Sequence, residues 1–507
     1  MLKALSDYRR LLRAGTALAR HDVILPGAYQ SRLPLPARIA GGVLRLFGGA
    51  RGRPGERLAR ALESLGPAYI KLGQFLATRP DVFGSEIAGD LSRLKDRLPP
   101  FPVKHARATL AAEFGKAEAE RLFPQLSEPV AAASLAQVHR MELPDGARAV
   151  KILRPGIERQ LELELSAMRR AARTIEGVSS ESRRLRPIAF TETIATSMMR
   201  ETDLRLEAGG ADEMRAVNEK TGFFRVPKVD WERTGRRVLT AEWIEGTPLT
   251  APGALDQPGL DRNRLANDII RGFLASALDH GVFHADMHEG NAIITPEGRI
   301  ALVDFGIIGR IGPVERRFLA EILWGFLTRD YQRIAEVHFE AGYVPSSQSV
   351  GDFAQALRSI GEPLFGRSAE DVSMGRVLLQ LFDYTHTFGM ALRPELVLLQ
   401  KTMVQVEGVA RTIDPSVNIW NASEPVVGDW IRRNFGPEGA VRLVAENIRE
   451  VTNRLKRLPD VMDRFEKSLE AAPVPPLKPE RFAPWWGWFG LIAVLAGLAA
   501  WVTIHLS

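Results

Sequence analysis

Four side chains have the types and chain order that phosphoryl transfer requires: Lys151, Asp286, Asn291 and Asp304. The reaction needs a carboxylate near the accepting hydroxyl, an amide oxygen for one magnesium ion, and a second carboxylate bridging metal and phosphates. Asp286 sits in His284-Ala285-Asp286-Met287-His288-Glu289-Gly290-Asn291, and Asp304 opens an Asp-Phe-Gly run. The amide follows the first carboxylate by five residues, the interval that phosphotransferases use. His284 and His288 are spaced H-x-x-x-H, but the glutamate of H-E-x-x-H zinc sites is missing, which argues against zinc.

These residues need elements to carry them. Val138–Leu143 and Ala147–Leu153 read as two strands joined by a turn at Pro144-Asp145-Gly146. Lys151 lies between apolar Val150 and Ile152, so it points away from the core and toward a cleft, as a phosphate-binding lysine must. Ahead of this hairpin stands Ala131-Ala132-Ala133-Ser134, where glycines would let backbone N–H groups approach phosphate. Alanines restrict that loop. Glu201 and Glu207, six apart, diverge by about 120° if one helix carries both, so each suits a different partner. Glu201 is the candidate partner of Lys151. Val226–Val229 and Arg237–Trp243 read as further strands, and Glu242 leads into Gly246, where a hinge would place adenine. The apolar run Ile300–Val303 delivers Asp304.

Cysteine is absent from the 507 residues. That excludes disulfides, iron–sulfur clusters, a cysteine nucleophile and thiolate metal sites, and it fits a reducing compartment. The net charge of +6 is uneven: residues 1–60 hold twelve Lys and Arg against three acids, +9, which leaves −3 for the rest. A basic end suits anionic lipid or nucleic acid. From Ala483 to Ser507 no charged residue occurs, and Trp488–Ile504 lies in a stretch of about 20 residues, enough to span a bilayer. Trp485, Trp486, Trp488 and Trp501 sit where interfacial aromatics would, and Lys478 and Arg481 leave the large domain cytoplasmic. This span favours lipid over nucleic acid. Pro473, Pro475, Pro476, Pro479 and Pro484 read as a semi-rigid linker before it. Ala493 and Gly497 have the small-xxx-small spacing that admits a second helix, hence a homodimer. At the other end, Leu5, Tyr8, Leu12 and Leu18 lie near one face of a helix, which reads as an interfacial amphipathic helix or an Arg-rich transit peptide.

With those residues in view, residues 55–420 resemble the UbiB family of atypical kinase-like proteins. The resemblance begins at Leu65-Gly66-Pro67-Ala68-Tyr69-Ile70-Lys71-Leu72-Gly73-Gln74 and Thr78-Arg79-Pro80-Asp81, similar to the family's K-x-G-Q signature. It continues through Ala131–Ser134, Glu201-x-Asp203 with Glu207-Ala208, the H-x-D-x-H-x-G-N run, and Glu407-Gly408-Val409-Ala410-Arg411 with Asp414-Pro415. It implies an α+β, protein-kinase-like two-lobed fold, with a helical amino-terminal extension and a carboxy-terminal transmembrane helix. It also implies that the K-x-G-Q helix covers the peptide groove, with Lys71 and Gln74 lining the cleft and Glu207 contacting them. Lys151, Glu201 and Asp286 would be catalytic, and Asn291 and Asp304 would bind Mg2+. Ala131, Ala132, Ala133, Ser134 and Glu242 would border ATP. Glu289 stands where the family usually has proline, and Gly210 where an asparagine often ends the E-x-D segment. Many bacterial relatives end in two hydrophobic spans; one is legible here.

The expected organisation is a basic helical segment (1–54), a K-x-G-Q extension (55–115), a kinase-like core (116–470), the linker (471–483) and the span (484–506). The expected function is a membrane-anchored ATPase, or small-molecule or lipid kinase, supporting ubiquinone biosynthesis, with membrane lipid and pathway intermediates or enzymes as partners. A nucleotide-binding scaffold and a conventional Ser/Thr kinase remain as alternatives.

Overall fold

The computed structural model describes residues 2–21, 52–77, 84–91, 99–178, 186–364 and 394–436, with scattered positions between them. The Pro-rich linker and the apolar segment 484–506 lie outside the described residues. Among those described, no helix is long and apolar enough to cross a membrane. The described residues form two compact units, one built from residues 1–208 and 229–243, the other from 209–228 and 244–436.

The first unit is built on helices α1 (Leu2–Arg20), α2 (Pro54–Leu65), α3 (Pro67–Ala77), α4 (Ser85–Leu91), α5 (Val103–Phe114), α6 (Lys116–Leu122), α7 (Ile157–Val178) and α8 (Pro187–Arg200). Its antiparallel sheet runs in the order β1 (Leu126–Ala132), β2 (Ala136–Met141), β3 (Arg148–Leu153) and β4 (Val238–Glu242). Val150 and Ile152 point inward and pack with Leu110, Phe123, Met141 and Val238. Burial of such side chains stabilises by roughly 1.5–3 kcal/mol each. The strand β1 was not legible because it contains Pro129. Proline is tolerated there because β1 is an edge strand with register shifts on both sides of that residue. Ala131 and Ala132 therefore belong to a strand. The expected strand Val226–Val229 also differs: a two-residue strand falls at Phe224–Arg225, and Val229 makes an isolated bridge to Ala241.

Helix α1 packs on α2 and α7. Leu11, Ala14 and Leu18 are buried, while Leu12 is exposed. The apolar stripe expected to meet lipid thus runs one residue away from Leu12 and is covered by protein. Buried Asp7 accepts from Arg170 Nε at 2.9 Å, and Arg10 pairs with buried Glu164, which also accepts from Tyr69 Oη at 3.2 Å. Arg9, Arg13 and Arg20 remain exposed.

Helix α9 (Leu204–Thr221) starts in the first unit and continues in the second. The second unit contains α10 (Arg262–Ala275), strands β5 (Val282–His284), β6 (Ala292–Ile294), β7 (Ile300–Leu302) and β8 (Ile308–Arg310), and α11 (Pro313–Thr328). Its last described elements are α12 (Tyr331–Glu340), α13 (Val350–Gly361), α14 (Pro394–Ile413) and α15 (Ile419–Phe435). Polar caps set several starts: Asp261, Asp330, Ser349 and Asn418 each accept from a backbone N–H of the first turn, worth about 1 kcal/mol apiece. Leu265, Ile269 and Phe273 of α10 are buried, and this helix packs on α14 and α15.

His338 of α12 is buried against Phe353 and Tyr343, with Nδ1 bonded to the Ile334 carbonyl at 2.8 Å. Burial pushes its pKa down from 6.5 to about 4. The folded protein therefore keeps it neutral where the unfolded chain takes up a proton. The resulting stability is present above pH 6.5 and is lost as pH falls toward 4, up to about 3 kcal/mol. Denaturant unfolding from pH 7.5 to 4.5 should show wild type losing stability relative to His338→Phe; parallel curves would refute this.

Candidate active site

In the first unit Lys151 projects from the face of β3 opposite Val150 and Ile152. Its Nζ meets both oxygens of Glu207, at 2.7 and 2.9 Å. Glu201, the expected partner, instead pairs with Lys71 Nζ at 2.9 Å. The glutamate that meets Lys151 is therefore Glu207 and not the expected Glu201. The reason is local: α8 ends at Arg200 and α9 begins at Leu204, so no single helix carries both glutamates. Asp203 lies in the break. It accepts from the N–H of Arg205 at 3.2 Å and from its guanidinium, which holds the carboxyl below the usual aspartate range. Leu204 N–H donates to the Arg236 carbonyl, which further fixes the first turn that presents Glu207.

Lys71, Gly73 and Gln74 lie on α3. A Cβ at Gly73 would stand 2.3 Å from Leu94 Cδ1 and 2.8 Å from Leu62 Cδ1, so glycine permits this close packing. Gln74 is half-buried on the same helix. The Ala131–Ser134 stretch closes the β1–β2 hairpin: Ala133 N–H bonds the Ala136 carbonyl, and Arg154 donates twice to the Ala133 carbonyl. Among the described residues, positive φ in non-glycine residues occurs at Arg186, Asp304 and Arg329, not here. Glu242 faces Arg148 on β3, while Lys151 faces Leu239, so Glu242 stands about 10 Å along the sheet from the lysine.

In the second unit one buried histidine joins the phosphotransfer motifs. His284 Nε2 donates to the Asp304 carbonyl at 2.8 Å, and its Nδ1 accepts from Asp286 N–H at 3.2 Å. Only the neutral tautomer protonated on Nε2 satisfies both bonds. Burial holds this imidazole below the ordinary histidine range, which keeps that tautomer present. Asn291 Nδ2 donates to the Asp286 carbonyl at 3.0 Å, and Val303 N–H bonds the Asn291 carbonyl at 3.0 Å. Asp304 has φ of +63°, a left-handed conformation that Asp tolerates better than most side chains. Gly306 N–H reaches its Oδ1 at 3.3 Å. Gly210 of α9 fits closely here, since a Cβ would meet the Phe305 carbonyl at 3.0 Å and Ile308 at 2.9 Å.

One carboxylate and one side-chain amide oxygen suit magnesium, which takes one or two protein oxygens and completes its shell with phosphate and water. Asn291 fits this set because its amide NH2 is engaged with Asp286, which leaves Oδ1 as the donor.

The residues that sequence reasoning missed lie on α14. Lys401 Nζ and Gln405 Nε2 both reach Asp286 Oδ1 at 3.2 Å. Burial alone would raise the Asp286 pKa, but Lys401, His288 and Gln405 hold it below the usual range. Thr402 Oγ1 donates to the Ala285 carbonyl at 3.3 Å, and Thr412 Oγ1 to Glu289 at 2.6 Å. The glutamate that replaces proline is therefore hydrogen-bonded to α14. The i, i+4 spacing of Lys401 and Gln405 was the available signal, but no local motif marks it.

Comparison with known proteins accords with this geometry. Residues 93–338 match the ABC1 atypical kinase-like domain, and residues 357–418 match the UbiB helical domain. A probable protein kinase UbiB from Marinobacter nauticus is 35% identical, with 90% of this chain and 85% of the relative covered. Another protein of that name, from Pseudomonas paraeruginosa, is 34% identical, with 97% and 94% covered. Among solved structures, Rv3197 of Mycobacterium tuberculosis in complex with erythromycin aligns with a TM-score of 0.53 and 25% identity, covering 72% of this chain and 93% of that one. The fold is kinase-like, with mixed α and β structure, and the chain belongs to the UbiB family of ABC1 atypical kinase-like proteins.

Proposed function

We propose that this protein is a membrane-anchored, ATP- and Mg2+-dependent enzyme supporting ubiquinone biosynthesis, either by hydrolysing ATP or by phosphorylating a small or lipid molecule. The observation that carries the reading is the hydrogen-bonded linkage of the three residues: His284 bridges the Asp286 N–H and the Asp304 carbonyl, and the Asn291 amide bonds the Asp286 carbonyl. Asp286 would accept the proton of the attacking water or hydroxyl. Asn291 and Asp304 would hold the metal, which when bound neutralises charge on the phosphoryl oxygens. Lys151, oriented by Glu207, would bind the α and β phosphates. Ala131–Ser134 would border the nucleotide and Glu242 the adenine.

The tie between Lys71 and Glu201 fixes α3 within the first unit, and membership of the family gives that helix the role of excluding peptide substrates. The ubiquinone role is what membership of the UbiB family implies. The sequence of 484–506 supports a single-pass anchor with the catalytic domain cytoplasmic, and the exposed Arg9, Arg13 and Arg20 support contact with anionic lipid.

The test follows the γ-phosphate of labelled ATP with full-length protein in anionic-lipid vesicles. Free phosphate that depends on Asp304 identifies an ATPase; label on lipid or protein identifies a kinase and its acceptor. Nucleotide binding with no turnover above Asp304→Asn would make the protein a scaffold and overturn the reading.

A further inference from the structure

We infer that Lys401 and Gln405 are positioning residues for phosphoryl transfer, fixing the Asp286 carboxylate from α14 with a positive charge that the catalytic loop itself lacks. This rests on the reading of Asp286 as the proton acceptor. Between Asp286 and Asn291 the chain is Met287-His288-Glu289-Gly290, with no lysine or arginine. The cation arrives from 115 residues further on. Lys401 and Gln405 bind one carboxylate oxygen, Oδ1, and so leave Oδ2 to His288 Nε2, 3.6 Å away, and to an incoming hydroxyl.

The Gln405 amide supports a directed interaction. Its Oε1 is buried without a hydrogen-bond partner among the described residues. Leaving an acceptor so placed is unfavourable, and flipping the amide would turn that oxygen against the carboxylate. The orientation is held by Asp286. Thr402 and Thr412 bind the backbone of Ala285 and the side chain of Glu289 from the same helix. Helix α14 thus braces the loop on both sides of Asp286, and Lys401 acts on the reacting group through that carboxylate.

The test measures kcat and KM for ATP in vesicles for wild type, Lys401→Met, Lys401→Arg and Asp286→Asn. Lys401→Met should lower kcat about 30-fold through loss of orientation, with KM changed less than about twofold. Lys401→Arg should recover most of the loss, and Lys401→Met should add little to Asp286→Asn because the two act as one unit. An unchanged kcat, a change confined to KM, no recovery by arginine, or full additivity would each overturn the inference. Amide hydrogen exchange at residues 284–291 gives a readout independent of turnover. Lys401→Met should raise exchange there selectively, and unchanged protection would overturn the positioning role. If wild type shows no turnover above Asp304→Asn, the enzymatic reading falls, and the exchange result still decides whether Lys401 holds the loop.

Discussion

Asparagine in place of Asp304 is expected to lower phosphoryl turnover by about three orders of magnitude. The substitution isolates charge from shape. Asn keeps an Oδ1 able to accept from Gly306 N–H, and the backbone carbonyl that binds His284 is untouched. Asparagine also tolerates the left-handed backbone that Asp304 adopts at φ +63°. Alanine would be a poorer probe, because it would add backbone strain to the loss of the ligand. What Asn removes is the negative charge that holds magnesium against the phosphates. Magnesium-dependent nucleotide affinity should fall with kcat, while the melting temperature stays close to wild type. Phosphate release at equal rates in the two proteins would exclude Asp304 as the metal carboxylate.

Loss of the Lys151 charge should cost about 100-fold in kcat/KM for ATP, and Glu207→Gln should approach that loss while Glu201→Gln should not. The bidentate contact of Lys151 with Glu207 both orients the ammonium and compensates a half-buried charge. Glu201 serves Lys71, so Glu201→Gln should resemble Lys71→Ala, whatever those variants do to substrate choice. Steady-state ATP kinetics on Lys151→Met, Glu207→Gln, Glu201→Gln and Lys71→Ala separates the two pairs. If Glu201→Gln tracked Lys151→Met and Glu207→Gln did not, the pairing would be reversed in the working enzyme.

The sites differ in how much of each was legible in sequence, and the division follows contact range. Lys151 could be assigned to the outer face of its strand because side chains alternate every residue, and Val150 and Ile152 declare the inner face. The D-F-G aspartate was legible from its motif and from the wholly buried apolar strand just before it. The edge strand β1 was hidden by Pro129, which reads locally as a breaker and is harmless because, among the described residues, that strand has no neighbouring strand on one side. The amino-terminal helix was legible as amphipathic, but the receiver of its apolar face was not. Leu11, Ala14 and Leu18 meet protein, a fact decided by α2 and α7 far along the chain.

The sequence by itself determined the inventory and order of the phosphotransfer groups, the strand faces that present them and the family to which they belong. Tertiary structure decided the partners. Helical angle relates two residues only while one helix is unbroken, and the chain breaks between Arg200 and Leu204, so Glu207 rather than Glu201 reaches Lys151. No local pattern brings Lys401 to Asp286 either. That contact exists because the apolar face of α10 draws α14 against the second unit's core, which carries an unmarked lysine to the carboxylate.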